Sequence, residues 1–232
     1  MTSQTDVVVQ GIRQLIIDGR LRPGDRLPVE KDLAEALGVS RNPLREAVRA
    51  LSMMGVLETR QGDGTYVTSL DSSLLLAPMG FVVDLQDRSA AHHLHAVRRV
   101  LETEAAGLAA QVIAPEQVTA ADEALARIEV ELAKDEPNHE TVIDNDIAFH
   151  RTIAEASGNP VLAALIEALG GRTTRDRLWR SISQKGADET THAEHRSILA
   201  AIAAHDPDRA RTRMAAHLFA VEDYLHERPP SN

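Results

Sequence analysis

Hydrophobic positions near the N-terminus recur with the period of an amphipathic helix. Ile12 and Ile16 are four residues apart and are flanked by polar positions, which places apolar side chains on one helical face. We expect this first helix to be capped by Thr5 or Asp6 and to end near Asp18. The segment is long enough to pack against further helices and begin a small core.

The pattern then changes to two shorter helices followed by alternating, β-branched segments. Gly38 and Gly55 are predicted helix stops, and Ser40 is a predicted cap for the helix that follows it. Gly62 and Gly64 flank a turn between two short strands. The predicted helices cover residues 29–37 and 40–54, and the predicted strands cover residues 56–59 and 65–67. Together these elements predict a winged helix-turn-helix in residues 1–70.

The rest of the chain has helical character almost throughout. Alanine-rich amphipathic segments are separated by proline and glycine positions, and aromatic residues make up only 3% of the chain. About six or seven helices are expected in residues 74–228. The predicted fold class is therefore mainly α, with an N-terminal winged helix-turn-helix and a C-terminal all-α helical bundle.

The distribution of charge separates the two regions. The net charge of the 232-residue chain is −10, whereas the nine basic and nine acidic residues of 1–70 balance. The acidic excess lies wholly in the C-terminal region and does not oppose nucleic-acid binding by the N-terminal one. The chain has no cysteine, which excludes disulfides and thiolate metal sites. No secretory signal or membrane span is recognisable, so we expect a cytoplasmic protein without a membrane partner.

Basic residues cluster at the start of the third predicted helix. Arg41 and Arg45 have planar guanidinium groups suited to guanine edges or phosphates, and Asn42 can read a base edge. The helix begins at Ser40, where free backbone N–H groups favour a phosphate. Lys31 opens the preceding helix. The alternative interpretation is a solvated helix surface, since exposed arginines are common.

Histidine and aspartate positions suggest a metal site in the C-terminal region. Asp146 and His150 are four residues apart on one helical face, and His195 and His217 are further candidates. Three imidazoles and one carboxylate suit a divalent ion such as zinc, nickel or manganese. Spacing alone is a weak signal, because the chain has ten histidines and hydrogen-bonded structural histidines are commoner. His92, His93 and His95 are interpreted as a polar, solvated helix start.

The N-terminal motifs resemble those of the GntR family of bacterial transcription regulators. They are Pro-Gly at 23–24, Leu-Pro at 27–28, Gly-Val-Ser-Arg at 38–41, Leu-Arg-Glu-Ala at 44–47 and Gly-Thr-Tyr-Val at 64–67. The resemblance implies that Lys31, Arg41, Asn42, Arg45 and the wing tip Gln61–Gly62 contact DNA. The chain departs from the family at Asp63, where a basic residue is common and an acidic one is repelled by phosphate.

The C-terminal region resembles the FCD effector domain of the FadR branch of this family. The matching motifs lie at 97–102, 146–150, 156–160, 194–198 and 214–217. The resemblance implies that one divalent metal is bound by Asp146, His150, His195 and His217, but it does not identify the ion. We take zinc as the first candidate, with nickel or manganese as others. It also places Arg98 at the ligand pocket.

Two further arginines are candidates for binding a ligand. Arg172 and Arg175 follow Gly170–Gly171 and can clamp a carboxylate, although salt bridging at the surface is an equal alternative. The effectors of the family are often small carboxylates or sugar acids, so the resemblance implies an organic-acid effector.

The combined hypothesis is a homodimeric regulator that reads a palindromic DNA operator and responds to a small acid bound at the metal. Two alternatives remain at this point. A regulator that senses the metal itself needs no organic effector. A metal-dependent enzyme could activate water at the Asp/His₃ site, with Glu194 as a nearby acid or base.

Overall fold

A computed structural model of the chain describes residues 3–84, 91–184 and 186–227; within these ranges the side chains of 81–84, 91, 171–179, 181 and 225–227 are not described. The described residues form ten α-helices and two β-strands: α1 (Gln4–Ile17), α2 (Glu30–Leu37), α3 (Arg41–Met53), β1 (Leu57–Arg60), β2 (Gly64–Val67), α4 (Ser72–Asp84), α5 (Ala91–Val112), α6 (Pro115–Leu132), α7 (His139–Ala156), α8 (Pro160–Ser183), α9 (Ala187–Ala203) and α10 (Pro207–Glu227). The predicted fold class is confirmed, and seven helices follow the wing. The chain divides into two compact units, Met1–Met79 and Gly80–Asn232.

The first helix is capped one turn earlier than the sequence predicted. Ser3, and not Thr5 or Asp6, is the N-cap residue: its hydroxyl accepts a hydrogen bond from the backbone N–H of Asp6, and the Asp6 carboxylate accepts one from the backbone N–H of Ser3. This reciprocal pair is a capping box. Val8 and Ile12 then face the core of the N-terminal unit.

The turn between α2 and α3 sets the direction in which the third helix begins. Gly38 ends α2 in the left-handed conformation (φ 66°), which a side chain disfavours. Ser40 is the N-cap residue of α3 as predicted, but its side chain makes no capping hydrogen bond. Leu44, Ala47 and Leu51 form the buried face of α3, so the face at Arg41 and Arg45 points to solvent.

The wing is a two-stranded antiparallel hairpin with a short additional edge. Leu57 pairs with Val67 at one end, and Arg60 pairs with Gly64 at the turn. Arg26 forms a bridge with Tyr66, so the segment before α2 extends the hairpin on its β2 side. The strands are shifted by about one residue from the predicted bounds.

The C-terminal unit is a helical bundle built around α5. This helix packs against α7, α8, α9 and α10. Small alanine side chains allow the helices to approach closely, and larger apolar residues such as Phe149 and Ile198 fill the centre. Within the described part of the chain, none of the helices is both long and apolar enough to cross a membrane.

Candidate DNA-reading surface and metal centre

The predicted DNA-contacting residues lie on the exposed side of the N-terminal unit. They are Lys31, Ser40, Arg41, Asn42, Arg45, Gln61 and Gly62, and all seven are exposed. Ser40 to Asn42 form the start of α3, where backbone N–H groups and the helix dipole favour an anion. Gln61 and Gly62 are in the turn of the wing, where Gly62 has a φ of 77°.

Arg45 is engaged by an acidic residue of the preceding helix. Its Nε lies 2.9 and 3.0 Å from the two carboxylate oxygens of Glu30, and its Nη2 lies 2.8 Å from one of them. The hydrogen bond from Arg45 lowers the pKa of Glu30, and Arg41 adds to this effect. The guanidinium of Arg45 is thus held by Glu30 near the N-terminus of α3.

The acidic residue of the wing tip is turned back toward the hairpin. Asp63 accepts a hydrogen bond of 2.8 Å from the hydroxyl of Tyr66, which raises the pKa of Tyr66. The guanidinium of Arg60 lies 4.2 Å from the centre of the Tyr66 ring. The carboxylate repulsion expected from the sequence is therefore partly offset, because Asp63 is bonded within the wing.

Four side chains of types that commonly bind metal ions converge from three helices of the C-terminal unit. Asp146 and His150 come from α7, His195 from α9 and His217 from α10, and each is at most 5% exposed. The three histidines each place a ring nitrogen within 4.8 Å of the others. Nε2 of His195 lies 3.2 Å from Nε2 of His217 and 3.5 Å from Oδ1 of Asp146. Oδ1 of Asp146 also lies 3.9 Å from Nε2 of His150.

Two of these histidines each have a carboxylate next to Nδ1, the ring nitrogen that points away from the centre. Nδ1 of His217 lies 2.8 Å from Oε2 of Glu194, and Nδ1 of His150 lies 2.5 Å from Oε2 of Glu102. A carboxylate beside Nδ1 favours the tautomer with its proton on that nitrogen, which leaves the Nε2 lone pair able to coordinate a cation. Burial raises the pKa of Glu194, whereas Arg180 acts in the opposite direction.

The arrangement fits a divalent cation. Ligand atoms about 2.1 Å from one ion lie about 3–4 Å from one another, as these nitrogen and oxygen atoms do. The Nε2 atoms of His150 and His217 face the centre because their Nδ1 atoms face carboxylates. An Asp/His₃ donor set suits zinc, nickel or manganese, so the residues fit the group that the sequence suggested.

A partly open cavity adjoins three of the four ligands, Asp146, His195 and His217. Its wall also includes Arg98 of α5, Arg180 of α8, and Asp188, Thr191 and His192 of the first turns of α9. The side chains of Arg172 and Arg175, which the sequence offered as further ligand contacts, lie outside the described residues.

Three polar residues of this region carried little or no signal in the sequence. Glu102 is four residues after Arg98, a spacing that could have suggested a pair on one helical face. Arg180 had no motif. Glu194 was noted as a possible acid or base, and the structure places it against His217. The interpretation of the histidine group at the start of α5 was wrong for His95, which is buried, and right for the exposed His92 and His93.

Comparison with known proteins agrees with this architecture. A family model described as "Bacterial regulatory proteins, gntR family" matches residues 4–67, and one described as "FCD domain" matches residues 93–220. The HTH-type transcriptional regulator LutR of Bacillus subtilis is 36% identical over 220 residues, which cover 91% of this chain and 96% of LutR. The chain belongs to the GntR family. Its FCD domain places it in the FadR-type branch.

Other relatives of this GntR-family chain are regulators as well. The Glc operon transcriptional activator of Escherichia coli is 32% identical, with 96% of this chain and 89% of the activator covered. The solved structure of Streptococcus agalactiae GntR is 28% identical and superposes with a TM-score of 0.69, covering 95% of this chain and 99% of that one. The GntR-family chain is therefore a DNA-binding transcription regulator.

Proposed function

We propose that this regulator binds its operator under the control of a small organic acid held at a divalent metal in the C-terminal unit. The observation that carries the proposal is the convergence of Asp146, His150, His195 and His217, three of which, Asp146, His195 and His217, line a cavity whose wall also includes Arg98. A cation beside an arginine is a suitable receptor for a carboxylate.

The residues around the metal centre would have different roles in binding the ion and the acid. Asp146 and the three histidines would hold the ion, with zinc as the first candidate. When bound, the metal supplies an electrophilic coordination position for a carboxylate or hydroxyl oxygen. Arg98 would bind the remaining carboxylate oxygen, and the cavity between α9 and α5 would exclude larger ligands. Thr191 and His192 would contact polar groups of the acid.

The DNA-binding unit would act as one half of a two-fold symmetric reader. Lys31, Arg41, Asn42 and Arg45 would contact the major groove or its phosphates, and the wing tip at Gln61–Gly62 would contact the backbone nearby. A homodimer of the chain matches a palindromic operator, because both have a two-fold axis. We expect the protein to act in the cytoplasm, where its DNA is.

Selection of genomic fragments by the purified chain tests this function. The selection is run in the presence of Zn²⁺ and again after a chelator, at one fixed salt concentration. We expect one palindromic site to be enriched, with a yield that depends on the metal. Weak, salt-sensitive and sequence-independent recovery in both conditions would contradict the proposal.

A regulator that senses the metal itself is the second candidate. It is favoured by the burial of the four ligands, since a buried site can report occupancy by the ion alone. Metal-dependent operator binding in a preparation free of organic acids, unchanged by any acid added later, would support this candidate over the first.

A further inference from the structure

Glu102 pairs with the arginine of the cavity wall. Its Oε1 accepts hydrogen bonds from Nε of Arg98 at 2.7 Å and from Nη2 at 2.6 Å, one helical turn along α5. Both side chains are almost fully buried, at 1% and 2% exposure. A buried guanidinium needs a counter-charge, and breaking such a pair is costly. Glu102 therefore fixes where Arg98 lies in the cavity wall.

The other oxygen of Glu102 faces the metal ligands. Oε2 lies 2.5 Å from Nδ1 of His150, and both atoms are shielded from solvent. The contact is one of ion-pair distance, not an aligned hydrogen bond. It holds the ring with Nδ1 away from the centre, so that Nε2 points at Oδ1 of Asp146, 3.9 Å away. Glu102 thus touches the arginine and a metal ligand at the same time.

We propose that Glu102 is a positioning residue shared by the metal centre and the arginine, so that occupation of the metal site is transmitted through its carboxylate to Arg98. This inference rests on the proposed function, because it assumes that a cation is bound by His150. One carboxylate that contacts both a guanidinium and an imidazole must respond when either partner changes.

The direction of the transmission follows from the chemistry of the imidazole. A cation at Nε2 would withdraw electron density from the ring, which leaves more positive charge at Nδ1 of His150 and strengthens its electrostatic attraction to Oε2 of Glu102. The carboxylate of Glu102 is then drawn toward His150, and its hold on Arg98 is loosened or shifted. The guanidinium becomes available to an anion in the cavity when the metal is present.

Glu194 provides a matched comparison within the same centre. Glu194 contacts Nδ1 of His217 as Glu102 contacts Nδ1 of His150, but the side chain of Glu194 is 30% exposed. Glu194 bonds to His217, whereas Glu102 contacts both His150 and Arg98. Replacing either carboxylate should weaken the metal site, whereas only replacement of Glu102 should disconnect the site from Arg98.

The test is nuclear magnetic resonance of the full chain labelled with ¹⁵N-arginine, titrated with Zn²⁺ alone. The buried Nε–H of Arg98 is assigned by its slow exchange and by its loss in Arg98→Lys. Zn²⁺ affinity is measured in parallel by competition with a chromophoric chelator. In the unaltered chain and in Glu194→Gln, we expect the Arg98 signal to shift as the site fills.

The Glu102 variants should behave differently from the Glu194 variant. In Glu102→Gln, Zn²⁺ affinity should fall by about 10–100-fold and the Arg98 signal should no longer respond at saturation. Glu102→Asp keeps the charge opposite Arg98 but is one methylene too short to reach both partners. It should fold, keep a protected Arg98 signal, and lose the response to Zn²⁺.

The outcomes separate the inference from the proposed function. If the unaltered chain binds no Zn²⁺ and the histidine ligands show no change, the metal centre itself is refuted. If Zn²⁺ binds but Arg98 does not respond, or if both Glu102 variants bind and respond like the unaltered chain, the shared role of Glu102 is overturned and the metal centre stands. The response of Arg98 in the unaltered chain decides the matter even where a variant does not fold.

Discussion

Arg45, which we propose as a DNA contact, is held by the carboxylate of Glu30. Its three contacts with Glu30 lie at 2.8–3.0 Å, and both side chains are about half exposed. An exposed pair of this kind contributes little to stability, about 0–1 kcal/mol. Its value lies in orientation, because a guanidinium that is already directed outward from α3 loses less conformational entropy when it meets a base edge.

Replacing Arg45 by alanine should therefore damage DNA reading and leave the fold intact. We expect operator affinity to fall by about 5–150-fold, the equivalent of one lost bidentate contact of about 1–3 kcal/mol. Titration of labelled operator at constant salt measures the loss. Arg13→Ala, which removes an exposed arginine of α1, is the control. Equal losses in the two variants would show that Arg45 supplies only general positive charge.

At the scale of the elements, the end of α3 fixes where the following chain begins. Gly55 has a φ of 73°, and a Cβ added there would lie 2.5 Å from the carbonyl oxygen of Leu74. A backbone atom cannot move aside as a flexible side chain can. Gly38 ends α2 in a similar left-handed conformation (φ 66°), but a Cβ there would meet no atom within 4 Å.

Alanine substitutions at Gly38 and Gly55 should distinguish the cost of the left-handed backbone from the cost of a collision with neighbouring backbone. Gly38→Ala adds only the left-handed strain of a side chain, about 1–2 kcal/mol. Gly55→Ala adds a collision with backbone to the same strain, so its loss of unfolding free energy should be clearly larger. Urea unfolding of the two variants, followed by circular dichroism, measures the difference. Equal losses would mean that the segment at Leu74 moves away freely.

The sequence predicted elements better than it predicted contacts between them. Helical periodicity and the glycine stops placed α1 to α3 and the wing, because these signals are local. The same residues did not reveal that Ser3 caps α1, since Thr5 and Asp6 are equally good caps by type. The pairing of Glu102 with His150 joins residues 48 positions apart on α5 and α7, and no local pattern records such a contact.

An ion pair between α5 and α10 gives the bundle a weak dependence on pH. Arg211 donates from Nε and Nη2 to the two oxygens of Glu104, at 3.0 and 3.1 Å, and holds the pKa of Glu104 below its usual range. The folded chain binds this proton less tightly than the unfolded chain. The stabilisation is therefore complete above the unfolded pKa of about 4.3 and is lost as pH falls through the lower folded pKa.

Glu104→Gln should thus lower stability at neutral pH and make little difference in acid. We expect a loss of about 0.2–1 kcal/mol in the free energy of unfolding at pH 7, since both side chains of the pair are partly exposed to solvent. The difference from the unaltered chain should shrink as the pH falls below about 4. Glu155→Gln, at an exposed position of α7, is the control. A difference that is constant with pH would exclude this pair as its cause.

At the scale of the whole molecule, charge is divided between the two units. The first 70 residues are balanced, whereas the remaining residues carry the net charge of −10. The acidic excess of the C-terminal unit contributes no attraction for DNA phosphates, so the proposed contacts at Arg41 and Arg45 would have to supply that attraction locally. The proposed acid effector would likewise be attracted locally, by the cation and Arg98, against the overall field of the C-terminal unit.

Coupling between the metal centre and the operator must be reciprocal. If Zn²⁺ changes operator affinity by a given factor, operator DNA must change Zn²⁺ affinity by the same factor and in the same direction, and couplings of this kind are about 1–3 kcal/mol. Titration of Zn²⁺ into the full chain, with and without a saturating operator duplex, measures one side of the cycle. Titration of operator at saturating Zn²⁺ and after chelation measures the other.

We expect two equal factors different from one, and a factor of one in Asp146→Ala, which lacks the carboxylate ligand of the centre. Equal Zn²⁺ affinities with and without operator in the unaltered chain would show that the metal is structural, because a ligand that binds both states equally cannot shift the balance between them.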